Sequence, residues 1–382
     1  MEKVYLDNAA TTPLHPGVLA AMTEALSMYA NPSSLHALGL EAEKMVEGAR
    51  AELADLLEVA PENLVFTSGG TEANNLALKG FLARSQRRGL LVTSEIEHPS
   101  VLEVFAELKS QGWEVCRLPV DSQGRVQLSA LEAALKRPVQ LVSLMAVNNE
   151  TGSIQPLAQA VDLVRARQPR AAIHTDAVQA LGKIPFAPAR LGVDFASVSA
   201  HKIHGPKGVG ALYLSRRDRL FPLLQGGGQE GGLRSGTENV PGIVGFGRAA
   251  RELLADPEEK RARVAALRQR FLAGIEGLPC RVISPGDGAP HILAVSFPGF
   301  RGEVLLQALS GLGVYVSTGA ACSGKKGGLS QVAQAMGLNR EVAEGLLRFS
   351  FSWLNTEAEI DYAGESVKKV LADLAFVRGR RS

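Results

Sequence analysis

The chain reads as an α/β protein with a large, mainly parallel seven-stranded sheet domain and a smaller α+β domain. Three observations predict this. Short apolar runs recur between longer helical patterns, the alternation that builds a parallel sheet. The runs are apolar throughout rather than in every second position, as strands covered on both faces are. The composition shifts after Arg251 to a charged helical stretch, and 382 residues exceed what one small core holds.

Taken in order, the N-terminal segment Tyr5-Leu6-Asp7-Asn8-Ala9-Ala10-Thr11-Thr12-Pro13 is polar and short of helical pattern. Runs at 64–67, 90–93, 115–119, 140–144, 172–175, 195–198 and 210–214 predict the seven strands, and a helix is expected over 71–83 after Gly69-Gly70. A charged helix over 257–272 should leave the large domain, and strands at 281–283, 293–297 and 347–351 should belong to the smaller one. The expected division is 14–257 for the large domain, with 1–13 and 258–382 forming the small one, because chain ends often lie close together. Ligands gather beyond the carboxyl ends of strands in such sheets. Gly69-Gly70, Glu97-His98, Asn148-Asn149 and Asp176 each follow a run, so they are expected on one rim.

The bulk composition narrows the function classes. Lys and Arg number 41 against 39 Asp and Glu, a formal charge of +2, which argues against direct nucleic-acid binding. The Arg378-Gly379-Arg380-Arg381 end reads as a solvated tail. No apolar run approaches the ~18 residues of a membrane span, and Met1-Glu2-Lys3 opens no signal sequence. Three cysteines, Cys116, Cys280 and Cys322, are too few and too odd for a disulfide framework, so a reducing, cytoplasmic location is expected. His201-x-x-His204 is the only hint of a metal pair and is too weak to predict a metal site.

The chemistry gathers around Lys202. It closes Val198-Ser199-Ala200-His201-Lys202 and stands 26 residues after Asp176. A Schiff-base lysine, a carboxylate for a ring nitrogen and donors for a phosphate are what pyridoxal 5'-phosphate (PLP) needs. Gly69-Gly70-Thr71, between a strand and a helix, offers free N–H groups and the helix dipole. Ser199 and His201 add donors, the Gly-rich segment 226–237 is a second anion-friendly loop, and the flat ring of His98 suits stacking on the cofactor. Read singly, Lys202 is a surface lysine and Asp176 a helix cap; the conjunction is what points to PLP. Cys322 sits in Ser317-Thr318-Gly319-Ala320-Ala321-Cys322-Ser323-Gly324, a small, Gly-rich setting suited to a mobile nucleophilic thiol. Cys116 and Cys280 stand in or at strands and read as structural.

Together these blocks resemble the cysteine desulfurases of the NifS/IscS type, within the fold-type I PLP enzymes and the class-V aminotransferase family. The resemblance covers nearly the whole chain. It rests on 5–13, Asn31-Pro32-Ser33-Ser34-Leu35-His36, Thr67-Ser68-Gly69-Gly70-Thr71-Glu72-Ala73-Asn74-Asn75, and Val147-Asn148-Asn149-Glu150-Thr151-Gly152. His174-Thr175-Asp176-Ala177-Val178-Gln179, Ser199-Ala200-His201-Lys202-Ile203-His204-Gly205-Pro206-Lys207-Gly208, Arg234-Ser235-Gly236-Thr237, the Cys322 segment and Arg348-Phe349-Ser350 complete it.

The resemblance implies a fold-type I PLP-transferase and a role for each position. Lys202 should hold PLP covalently and move protons, with His98 stacked on the ring. Asp176 should pair with the ring nitrogen and Gln179 should approach the phenolic oxygen. Gly70, Thr71, Ser199 and His201 should hold the phosphate, joined by Thr237 from a second subunit, which implies a homodimer. Asn149 should contact cofactor or substrate, Asn8 the substrate, and Arg348 should clamp the carboxylate of L-cysteine. Cys322, on a mobile loop at about 317–330, should take the sulfur as a persulfide and pass it to an acceptor protein such as an iron–sulfur scaffold. No metal is implied. A selenocysteine lyase, another fold-type I lyase or aminotransferase, or a non-catalytic sulfur relay remain alternatives. The sequence departs from the usual pattern in three places: Thr318 and Ala320 replace two serines, Lys325-Lys326-Gly327-Gly328-Leu329 replaces a stretch that often holds Glu-Pro, and Ser352-Trp353 replaces a common Gly-Arg pair.

Overall fold

The computed structural model describes residues 3–83, 85, 88–318 and 329–379. A seven-stranded sheet has the order Leu64–Thr67, Gly210–Leu214, Phe195–Ser199, Ala172–Asp176, Val139–Ser143, Leu90–Ser94, Glu114–Leu118. All seven expected strands are present, within a residue or two of their expected bounds. Gly210–Leu214 runs antiparallel to both neighbours, and the other pairings are parallel.

Successive side chains of a strand point to opposite faces, and here both faces are covered. Val65, Leu91, Leu141, Ala172, Phe195 and Leu212 pack against helices Gly70–Leu82 and Pro99–Ser110 through Leu76, Ala77 and Phe105. Phe66, Val92, Val142, Ile173, Val198 and Ala211 face the other way, toward Leu53 of helix Ala37–Leu57 and Phe246 of helix Val240–Leu254. This two-sided burial is why the runs are continuously apolar.

A second, antiparallel sheet has the order Ser317–Thr318, Leu346–Ser350, Ile292–Ser296, Arg281–Val282. Its core joins Phe271 of helix Pro257–Gly274 to Phe349 and Phe351, with ring centroids 4.5 and 5.8 Å apart. The N-terminal strand Val4–Tyr5 pairs in parallel with Val314–Tyr315, and Asp7 bridges to Ser350. The chain's beginning is therefore stitched to the second sheet and continues from there to the rim of the first.

One glycine shows how tightly that rim is built. A Cβ on Gly210 would stand 2.6 Å from the backbone of Gly69, so the strand must lack a side chain where the turn before helix Gly70–Leu82 crosses it. Gly210→Ala should cost about 2 kcal/mol through forced backbone movement. The check is the midpoint of urea unfolding, with an unchanged slope.

Candidate active site

A cleft of about 320 Å³ opens at the carboxyl ends of the central strands. Gly70, Thr71, His98, Asn149, Asp176, Gln179, Ser199, His201, Lys202 and Arg348 all line it. The chain thus gathers residues from six separate stretches, five of them following strands or turns of the large sheet as the strand-end rule expects and the sixth, Arg348, from the second sheet.

Lys202 lies in a short 3-10 turn, Ala200–Lys202, just past strand Phe195–Ser199. Its Nζ donates to the carbonyls of Ala9 and Ala10, both at 2.7 Å. Thr12 ties the same N-terminal segment to the turn through the His201 carbonyl, with its N–H and Oγ1 each at 2.9 Å. The amine is therefore held by backbone from the far end of the chain.

Asp176 ends strand Ala172–Asp176 and is buried. Neutral donors hold both of its oxygens: Asn74 Nδ2 at 2.8 Å and the Val178 N–H at 3.0 Å. Asn74 stands one helical turn after Gly70 and also donates to Ser100 Oγ at 2.8 Å. His98 caps helix Pro99–Ser110, its Nδ1 accepting from the Ser100 N–H at 3.1 Å. Burial lowers the His98 pKa, partly opposed by the charge of Asp176, so the ring is neutral near pH 7. Burial and the nearby Lys202, Lys207 and Lys183 push His201 down to about 4.

At the other wall, Arg348 of strand Leu346–Ser350 is buried, with Nη1 on the Asn149 carbonyl at 2.8 Å and Nη2 on Asp7 Oδ1 at 2.7 Å. Its Nε has no partner.

These features fit PLP. Helix Gly70–Leu82 starts at Gly69, with φ 153°, and no side chain caps its first N–H groups. Ser199 Oγ is buried without a partner beside them. Orphan donors at a helix N-terminus are a ready seat for a phosphate. The opposite end offers Asp176, a carboxylate stabilised by neutral donors, suited to a ring N–H⁺.

Two sequence-derived residues stand apart from the cleft, and a third cannot be placed against it. Asn8 is buried but turns its amide onto the carbonyls of Ser350 at 2.8 Å and Tyr5 at 3.2 Å; its neighbours' backbone, not its side chain, reaches the site. Thr237 is exposed and does not line the cleft. The loop before it is fixed to helix Gly70–Leu82 by Arg234 on Glu72, 3.0 Å apart. Cys322 lies outside the described residues.

Sequence reasoning gave no role to Asn74, Asp7, Glu97 or Glu150. Glu97 is buried, and burial lifts its carboxyl to about 8 despite hydrogen bonds from Ser94 Oγ at 2.5 Å and the Met145 N–H at 3.0 Å. Glu150 is lifted to about 7 by burial, opposed by a 2.5 Å bond from Ser330 Oγ and by Arg348. The spacing of Asn74, four residues after Gly70 on one helix, is the one signal that was available.

A family model described as aminotransferase class-V matches residues 4–363. A "NifS/IcsS protein homolog" of Lactobacillus delbrueckii subsp. bulgaricus is 43% identical over 366 residues, covering 94% of each chain. A "Cysteine desulfurase IscS" of Salmonella arizonae is 42% identical over 381 residues, covering 97% of this chain and 93% of its own. Among solved structures, a "NifS-like protein" superposes with a TM-score of 0.91 at 41% identity, over 97% of this chain and 100% of that one. The seven-stranded sheet is accordingly that of a fold-type I PLP enzyme, and the chain belongs to the class-V aminotransferase family, among its cysteine desulfurases.

Proposed function

We propose that this cleft binds PLP and L-cysteine, converts the cysteine to L-alanine, and delivers the sulfur to Cys322 as a persulfide. The observation that carries the reading is the convergence of Lys202, Asp176, His98 and Arg348 on one cleft in a chain of this family.

When bound, PLP supplies an electron sink for the carbanion formed at the substrate Cα. Gly70, Thr71, Ser199 and His201 would hold its phosphate, Asp176 would pair with its ring nitrogen, and Gln179 and His98 would contact its ring. Lys202 anchors it and then serves as the base that takes the Cα proton. Arg348 and Asn149 orient the substrate carboxylate. The Cys322 thiolate attacks the substrate sulfur: the Cβ–S bond breaks, an S–S bond forms, and Cβ keeps the electron pair and gains a proton. An acceptor protein, such as an iron–sulfur scaffold, then removes the sulfur. The thiol needs a reducing compartment, and the cytoplasm provides one; among the described residues, no helix is long and apolar enough to cross a membrane.

The same reading makes the working form a homodimer. Leu19, Leu26, Tyr29, Leu35 and Leu224 are exposed apolar side chains that a second subunit would cover. Thr237, exposed and off its own cleft, is then available to a neighbour's phosphate site.

The test is anaerobic single turnover with L-cysteine, followed by alanine quantitation and peptide mass. Alanine together with a gain of about 32 Da on the Cys322 peptide, absent in Cys322→Ala, is expected. Alanine without that adduct would sink the nucleophile assignment, and neither product from PLP-loaded protein would sink the reaction.

Arg348→Ala should raise KM for L-cysteine about 10²–10³-fold, the worth of two charge-assisted hydrogen bonds, with PLP retained. Initial rates over a wide range of cysteine concentration would show it.

A further inference from the structure

We propose that a small cavity behind the active-site lysine, at the seam between the two sheets, binds a monatomic anion of the chloride class. Lys183, Lys260, Arg261, His204, His291 and Trp353 contribute to its lining. No carboxylate lines it.

The cavity lets the centre of a water-sized body roam over about 20 Å³, room for one or two such bodies. A single halide fits, whereas a phosphate or a carboxylic acid is too large. Two buried polar atoms on its lining residues lack partners: Nδ1 of His291 and Nε1 of Trp353. His291 is only 1% exposed, and its other nitrogen lies 3.3 Å from Gln179 Oε1. His204 is fixed edge-on to Trp353, with its Nε2 2.7 Å from Ser352 Oγ and its Nδ1 2.8 Å from the Pro13 carbonyl. Ser352 and Trp353 are the pair that departs from the family's usual Gly-Arg.

The charged residues that line it have one sign. Lys260 sits over the Trp353 ring, 5.2 Å from its centroid. Lys183 feels Lys202 as a repelling neighbour. The nearest acid, Glu252, is outside the lining: it is paired with Arg248 at 2.6 Å and stands 3.7 Å from His15, whose ring packs 5.5 Å from that of Trp353. Asp256, Glu258 and Glu259, just before Lys260, are exposed. Although Lys183 keeps some accessible surface, the protein around its amine, together with Lys202, depresses its pKa to about 7. Burial, with Lys183, Arg348, Lys202 and Arg268, holds His291 well below its ordinary value. A group held neutral by desolvation and like charge regains its proton when an anion arrives. Binding is therefore coupled to proton uptake and strengthens as pH falls, while the anion offsets the repulsion of Lys183 on Lys202.

The experiment titrates the PLP-loaded protein with sodium chloride against sodium gluconate at constant ionic strength, reading the thermal midpoint, at pH 6.5 and 8.5. A midpoint that rises with chloride but not gluconate is expected, with affinity about tenfold weaker at pH 8.5 as Lys183 loses its proton. Lys183→Met, which keeps the stem and removes a buried charge, should weaken chloride at least tenfold at pH 6.5, and crystals grown in bromide should show its anomalous peak against Lys183 and Trp353. Equal midpoints in the two salts, an unchanged chloride response in Lys183→Met, or bromide elsewhere would each overturn the proposal. None of these readouts depends on turnover, so the cysteine reaction and the anion site succeed or fail separately.

Discussion

Lys202→Ala is expected to slow alanine formation from L-cysteine by about 10⁴-fold, the upper range for loss of a positioned general base. The structure offers no substitute at that point. His98 is the nearest titratable candidate, but its Nδ1 is engaged by Ser100 and its pKa is already depressed by burial. His201 is held at about 4 and is too weak a base to replace an amine. The substitution should leave the cleft intact, because the carbonyls of Ala9 and Ala10 that now accept from Lys202 can be satisfied by water entering the vacated space. PLP should still bind through the helix N-terminus, Ser199 and Asp176, so equilibrium dialysis would find cofactor retained while turnover is lost. Added methylamine should restore part of the rate by occupying the place of the missing amine. A variant that keeps turnover within tenfold of the parent would remove Lys202 from the base role. One that loses PLP altogether would show that the covalent link, rather than the cradle, holds the cofactor.

The sequence revealed this site unevenly, and the reasons are physical. Lys202, Asp176 and His98 were readable because each stands at the end of an apolar run, and strand ends in a parallel sheet converge. The contributions of Ala9 and Ala10 were not, because they act through carbonyls, which every residue carries. The family resemblance pointed to the polar neighbour Asn8, whose amide braces Ser350 and Tyr5. Asp7 and Asn149 reach Arg348 across separations of 341 and 199 residues, pairings that no local spacing encodes. The fold shows the same division. Five-residue strands covered on both faces announce themselves, whereas Val4–Tyr5 and Ser317–Thr318, of two residues each, are too short to show a period. The antiparallel direction of Gly210–Leu214 was also hidden, since an apolar run looks the same from either end.

Glu97→Gln should stabilise the protein at alkaline pH by an amount on the order of 5 kcal/mol. In the folded chain burial raises the Glu97 pKa from 4.5 to about 8, with the charge of Asp176 adding to the rise. Unfolded, the carboxyl titrates near its ordinary value. Below about pH 4.5 both states carry the proton and Glu97 exerts no pH-dependent penalty. Between 4.5 and about 8 only the unfolded state has ionised, so stability falls by about 1.4 kcal/mol per pH unit; above 8 both are ionised and the loss is complete. Glutamine keeps the acceptor for Ser94 Oγ and the Met145 N–H and cannot ionise. Its amide nitrogen falls where Glu97 Oε2 already lacks a partner, so the exchange adds little cost at low pH. Urea midpoints of the two proteins should therefore coincide near pH 4.5, diverge steadily, and run parallel above pH 8. Parallel curves throughout would mean that Glu97 is ionised in the fold. The same proton matters to the site. Glu97 is neutral at pH 7, so glutamine leaves the charge near Asp176 unchanged there, and under the proposed function the variant should retain its affinity for PLP even as it gains stability.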